Sequence, residues 1–284
     1  MERVAFIINP NSSKGNYQPI LDGIKNKIEN PNYYISQSIE GTQAFITQNF
    51  GTTDLFVAIG GDGTISSVAK SLVNTDKTLA IVPAGSGNGF SNETNFTKNL
   101  DDLFHKIRNG NTKLIDTFTV NDRLSVNVSG AGFDGKIAKE FEKTSRGFKN
   151  YIKVSVQVFF KYKPVKVKFF DQNLQQYNGK YLMLNVANTR QFGNFAYIAP
   201  QASKSDGLVD LVLVKKFPLI YSLLFAFRMF TKKLKEDDYI TYVSVSEAAF
   251  KVNTKNWHVD GDYCKIKSPV KIKVLPKSLR ILCD

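Results

Sequence analysis

The chain reads as an α/β protein, with an N-terminal doubly wound α/β domain followed by a β-sandwich. Three observations carry this reading. Short, wholly apolar runs in the first third each end in a loop of small and polar residues, as buried parallel strands do. Apolar residues at helical spacing lie between those runs. Beyond about residue 119 the helical period gives way to short segments that alternate apolar and polar side chains.

The parallel strands are expected at Val4-Ile8, Leu55-Ile59 and Leu79-Val82. Ile65, Val68, Ala69 and Leu72 fall at i, i+3, i+4, i+7 and predict a helix after the second run. Leu100, Leu103, Phe104 and Ile107 predict another, with Asp101 and Asp102 in its first turn and Gly110 just past its end. A further helix is expected over residues 18–28, with Ile20, Ile24 and Ile28 in register. Strands of the second half are expected at Leu124-Val128, Val165-Phe169, Tyr181-Val186, Val209-Val214, Ile240-Val245 and Val270-Val274. Helical stretches near 135–160 and 217–234 interrupt them. At 284 residues, two domains sharing one crevice are expected. Their bounds are residues 1–119, with a strand at 278–284 returning, and residues 120–277.

Composition narrows the function. Apolar and charged fractions of 42% and 22% are those of an ordinary folded protein. There is no run of apolar residues long enough to span a bilayer, and the first ten residues do not read as a signal peptide. Two cysteines make no disulfide framework and fit a reducing cytoplasm; two isolated histidines argue against a zinc site. The net charge of +13 points to an anionic partner. Without an RNP motif, a zinc finger or a basic tail, nucleic acid is not the expected one.

Three loops follow the three apolar runs: Asn9-Pro10-Asn11-Ser12-Ser13-Lys14-Gly15, Gly60-Gly61-Asp62-Gly63-Thr64, and Pro83-Ala84-Gly85-Ser86-Gly87-Asn88-Gly89. The carboxyl ends of parallel strands line the ligand crevice of open α/β sheets. Glycine lets the backbone approach a phosphate, and the start of a helix offers it free N–H groups. Hydroxyls of Ser12, Ser13, Thr64 and Ser86 add donors, and Lys14 adds a charge. A carboxylate in such a cradle, Asp62, makes sense if it orients Mg²⁺. Glycines that merely serve tight turns are the plainer explanation for one loop, and a poor one for three. The Walker pattern and the dinucleotide-binding glycine spacing are both absent.

The set Asn9-Pro10…Lys14, Gly60-Gly61-Asp62-Gly63-Thr64 and Pro83-x-Gly85-Ser86-x-Asn88-x-Phe90 resembles the diacylglycerol kinase catalytic family, which includes bacterial lipid kinases and is related to sphingosine and ceramide kinases. Gly130-Ala131-Gly132-Phe133-Asp134, the segment Ala199 to Asp210, and Val259-Asp260-Gly261-Asp262 resemble its later landmarks, so the similarity spans nearly the whole chain. The resemblance implies a first domain like that of NAD kinases and phosphofructokinases, then a β-sandwich. It implies ATP and Mg²⁺ as cofactors and a membrane lipid as phosphoryl acceptor, diacylglycerol before sphingoid bases, ceramide or phosphatidylglycerol. By matched position, ATP contacts fall on Asn9, Pro10, Asn11, Ser12, Ser13, Ser38, Gly60, Gly61, Asp62, Gly63, Thr64, Ile65, Ser66 and Ser86. A structural Mg²⁺ falls on Asp206 and the carbonyls of Ser203 and Leu208. Asp262 is the implied general base, with Asp62 and Lys14 assisting phosphoryl transfer.

The chain departs from the family pattern at several positions. Ser86 stands for threonine, Gly89 for aspartate, Asn92 for arginine, Ser13 for glycine, and Asp262 for glutamate. A soluble-substrate kinase of the NAD kinase type and a non-catalytic nucleotide- or lipid-binding homologue are the competing readings. Asp260-Gly261-Asp262 and Ser205-Asp206-Gly207 also suit ordinary turns. Residues Phe217–Phe230 are expected either to help dock a cytoplasmic enzyme on the inner, anionic face of the membrane or to pack on the sandwich as a helix with both of its apolar stripes buried. Leu219, Ile220, Leu223, Leu224, Phe227 and Phe230 share one side of the predicted helix, and Tyr221, Phe225 and Met229 form a second stripe.

Overall fold

The computed structural model describes residues 3–12, 15–141 and 148–284. Ser13 and Lys14 lie outside the described residues. The chain divides into two compact units, Met1–Ile115 with Lys277–Asp284, and Asp116–Pro276.

The first unit opens with β1 (Val4–Ile8), α1 (Gln18–Lys25), β2 (Asn32–Ile35), α2 (Ile39–Asn49), β3 (Leu55–Gly60), α3 (Asp62–Leu72) and β4 (Thr78–Pro83). Next come α4 (Gly89–Glu93), α5 (Leu100–Asn109) and β5 (Thr112–Val120), whose end belongs to the second unit. The strands run parallel in the order β2-β1-β3-β4. Arg280 and Ile281, near the end of the chain, lie parallel to Thr78 and Leu79 of β4. Every residue of β1, β3 and β4 is buried, which is why these runs lack the alternation of a half-exposed strand. α3 buries Ile65, Val68, Ala69 and Leu72 as their spacing requires. α5 is capped by the Asn99 side chain and ends at Gly110 in a left-handed conformation, φ 70°. α1 is shorter than expected: Leu21 and Ile24 form its buried face, and Ile28 lies beyond its end.

The second unit adds β6 (Arg123–Ser125), β7 (Val128–Gly132), α6 (Phe133–Phe141), α7 (Phe148–Lys161), β8 (Val165–Phe169), β9 (Gly179–Tyr181), β10 (Met183–Ala187), β11 (Val209–Val214), α8 (Leu219–Phe230), β12 (Ile240–Val245), β13 (Glu247–Val252), β14 (Asn256–Val259), β15 (Asp262–Lys265) and the first part of β16 (Val270–Leu282). One antiparallel sheet has the order β12-β11-β10-β7-β14-β15. In the other, β13 pairs with β16 and β8, and β8 with β9. Phe118, Phe169, Leu184, Leu211, Phe250 and Trp257 belong to one buried cluster joining the two sheets. This is a sandwich core.

Two expected strands are broken, each for a visible reason. The predicted Leu124-Val128 strand stops at Ser125 because the buried Asp260 carboxylate takes the N–H groups of Val126 (3.2 Å) and Asn127 (2.9 Å). The predicted Tyr181-Val186 strand is interrupted at Leu182, where the chain leaves the pairing of β9 with β8 for that of β10 with β7 and β11. Conversely, Val270-Val274 and the returning segment from residue 278 are one continuous strand, β16.

Candidate active site

In the first unit, the order β2-β1-β3-β4 places the topological switch point between β1 and β3, where ligands of doubly wound sheets bind. The loops after these two strands are tied together there. Asn9 Nδ2 donates to Thr64 Oγ1 at 2.8 Å, and Asn9 N–H donates to the Ile59 carbonyl at 2.9 Å. The Asn9 side chain also accepts from Asn11 N–H at 2.9 Å, and its carbonyl accepts from Ser12 Oγ at 2.6 Å. Asn9 thus shapes the turn that carries Pro10, Asn11 and Ser12.

The second and third loops touch through backbone. A Cβ built on Gly85 would lie 2.5 Å from the Gly61 Cα, so only glycine fits. Asn88, at φ 51°, closes the third loop by accepting from Gly85 N–H and donating to the Gly85 carbonyl, each at 3.0 Å. Asp62 is the first residue of α3, and its Oδ1 accepts from Phe90 N–H at 3.3 Å. The carboxylate therefore clasps the two loops as well as facing the positive end of the helix dipole. Gly61 caps α3 without a side-chain hydrogen bond, leaving the first turn open to an anion.

The remaining expected nucleotide contacts differ in what they can offer. Gly63 and Ser86 are exposed. Ile65 and Ser66 are buried in the body of the unit, and the Ile65 N–H is already taken by the Gly61 carbonyl at 3.1 Å, so neither side chain is open to a ligand. Ser38 is the N-cap of α2, its Oγ accepting from Gly41 N–H at 2.9 Å.

In the second unit, Asp262 is exposed on a tight hairpin. Val259 pairs with Asp262, and the two residues between them, Asp260 (φ 52°) and Gly261 (φ 93°), both take positive φ. This is the two-residue turn that Asp-Gly favours. Asp260 does more than turn the chain: besides the two amides already named, it accepts from the Ser125 hydroxyl at 2.6 Å. Directly behind the turn lies a buried pair that the sequence did not suggest. His258 Nδ1 accepts from Gly261 N–H at 3.3 Å, and its Nε2 lies 3.2 Å from Asp134 Oδ2. With Nδ1 accepting, the proton sits on Nε2 and points at the carboxylate. A Cβ on Gly130 would come within 2.2 Å of that Asp134 oxygen and within 2.1 Å of Asn185 Oδ1. The glycine of the Gly130-Ala131-Gly132-Phe133-Asp134 segment thus makes room for a buried polar cluster.

The Asp206 loop is held by its amides. Asp206 Oδ1 accepts from Leu208 N–H at 3.0 Å, and Gly207, at φ 78°, donates to the buried Asp116 carboxylate at 2.7 Å. Burial pushes the carboxyl of the neighbouring Asp210 above its ordinary range. The Ser244 hydroxyl, donating at 2.6 Å, opposes that rise, and the charge of Asp206 adds to it. Among the described residues, no three His, Cys, Asp or Glu side chains form a metal-binding group. The expected Mg²⁺ ligands are a single carboxylate and two main-chain carbonyls.

A parallel sheet with phosphate-friendly loops at its switch point, followed by an antiparallel sandwich, is the build of a nucleotide-dependent phosphotransferase. Residues 3–120 match the diacylglycerol kinase catalytic domain, and residues 127–283 match the YegS C-terminal NAD kinase beta sandwich-like domain. The chain is 27% identical to a diacylglycerol kinase of Bacillus subtilis, covering 93% of this chain and 90% of that one. It is 25% identical to a diacylglycerol kinase of Mycobacterium tuberculosis, over 81% and 77% of the respective chains. The crystal structure of a diacylglycerol kinase from Bacillus anthracis superposes with a TM-score of 0.75 at 19% identity, covering 100% of this chain and 97% of that one. The chain belongs to the diacylglycerol kinase catalytic family, and it is an ATP-using phosphotransferase of the lipid-kinase class.

Proposed function

We propose that this protein transfers the γ-phosphoryl group of ATP to the free hydroxyl of diacylglycerol, yielding phosphatidic acid. The observation that carries the proposal is the cradle beside the switch point, in which the loops after β3 and β4 meet backbone to backbone at Gly61 and Gly85, next to Asp62. The names of the relatives at 25–27% identity support the choice of lipid.

Phosphoryl transfer needs positioning and charge neutralisation more than covalent chemistry from the protein. In this reading, the turn at Asn9–Ser12 and the N–H groups at the start of α3 bind the phosphates, with Lys14 adding positive charge. Asp262 accepts the proton of the attacking hydroxyl. An oxygen-only donor set suits Mg²⁺, and two such sites are proposed. Asp62 orients a metal at the phosphates, where a cation would neutralise developing charge. Asp206, with the carbonyls of Ser203 and Leu208, holds a second, structural one.

Labelled ATP offered with diacylglycerol, sphingosine, ceramide and phosphatidylglycerol in mixed micelles, and with NAD⁺ in solution, tests the proposal. The expected product is phosphatidic acid. Transfer to NAD⁺ alone would overturn the lipid reading. ATP binding without transfer to any acceptor would favour a non-catalytic homologue, a reading that Asn92 and the short Asp262 side chain keep in play.

A further inference from the structure

α8 presents two apolar faces, and the core of the second unit uses only one. Tyr221, Phe225 and Met229 pack into a buried cluster with Val212, Val214 and Ile240, and Phe225 stacks on Phe217 at 5.3 Å. Arg228 is drawn to the same side by Asp237, 3.0 Å away, which also accepts from the Tyr221 hydroxyl. The helix is therefore fixed with its other stripe outward. On that stripe Ile220 is 78% exposed, Leu223 71% and Phe227 59%, with Leu219 and Phe230 beside them. Such a run of large apolar side chains in water marks an interaction surface.

The charge around it says with what. From residue 215 to residue 235 the chain has five lysines and one arginine; the arginine is paired with Asp237, one of three carboxylates that follow at residues 236–238. Lys215 and Lys216 lie before the helix, and Lys232, Lys233 and Lys235 after it, all exposed. Because lysines flank both ends, stacking two copies through this helix would set lysine against lysine in either direction. An anionic surface meets both features at once. At 12 residues the helix is about 18 Å long, against a bilayer core of about 30 Å. It can lie in the interface and cannot span it.

We infer that the outer stripe of α8 docks the protein on an anionic lipid bilayer, with Ile220, Leu223 and Phe227 entering the head-group boundary and the flanking lysines meeting lipid phosphates. Co-sedimentation with phosphatidylcholine–phosphatidylglycerol vesicles, without ATP, tests this independently of the catalytic reading. Ile220→Asp combined with Phe227→Asp should weaken partition at least ~10-fold, since two large side chains lose their burial. A reporter, Ile220→Trp, should show blue-shifted emission on the same vesicles, over the constant background of the buried Trp257. That reporter decides the matter should the double variant fail to fold. Wild-type partition by a folded double variant, or an unshifted reporter, would overturn the inference. So would equal binding to pure phosphatidylcholine, or a solution dimer that the double variant dissociates.

Discussion

His258 and Asp134 form a buried pair, Nε2 to Oδ2 at 3.2 Å, directly behind the hairpin that carries Asp262. The other ring nitrogen accepts the N–H of Gly261, so one imidazole links the sandwich interior to the turn. Replacing His258 by Phe leaves the Asp134 oxygen and the Gly261 amide without this partner. The expected cost is about 1–3 kcal/mol in urea unfolding, the penalty of a lost buried hydrogen bond. An unchanged midpoint would show that the pair adds nothing to the fold.

Asp62→Asn separates the two parts that Asp62 can play. Asparagine keeps an oxygen for the Phe90 N–H and loses only the charge. Turnover should fall at least ~100-fold with the melting temperature nearly unchanged, because charge stabilisation at the phosphates is a large contribution. Asp62→Ala should also loosen the two loops, costing about 0.5–1.5 kcal/mol more. Near-normal turnover in Asp62→Asn would leave Asp62 as a loop clasp alone.

Asp262→Asn should lower kcat by about 10²–10⁴, the usual worth of a positioned base, while ATP binding by calorimetry stays at the wild-type value. Asp262→Glu should retain much of the activity. An unaltered kcat in Asp262→Asn would move the base elsewhere.

The Asp206 loop should bind a cation that stabilises rather than catalyses. Thermal melts should rise with added Mg²⁺ in the wild type, and the rise should vanish in Asp206→Ala. The same metal-dependent shift in both proteins would rule this loop out.

The parts of the fold that depend on local pattern were legible in the chain. The runs Val4–Ile8, Leu55–Ile59 and Leu79–Val82 announce buried parallel strands, and Asp101, Asp102 and Gly110 mark the two ends of α5. The elements that misled were decided by side chains far away in sequence. Asp260 ends the strand at Ser125 across a separation of 135 residues. The second stripe of α8, Phe225 and Met229, reads in sequence as a further exposed face, and packing on Phe217 and its cluster turns it inward.

The candidate site divides the same way. Spacing and residue type alone determined the three loops, their glycines and Asp62, because turn chemistry and helix starts are local, whereas Asp206 and Asp262 stand out only through the family resemblance. Only the tertiary structure decided that Asn9 meets Thr64, that Asp62 clasps the third loop, and that His258 pairs with Asp134. A side chain's hydrogen-bond partner follows from strand order and register, and these come from the burial of whole faces rather than from any neighbour along the chain.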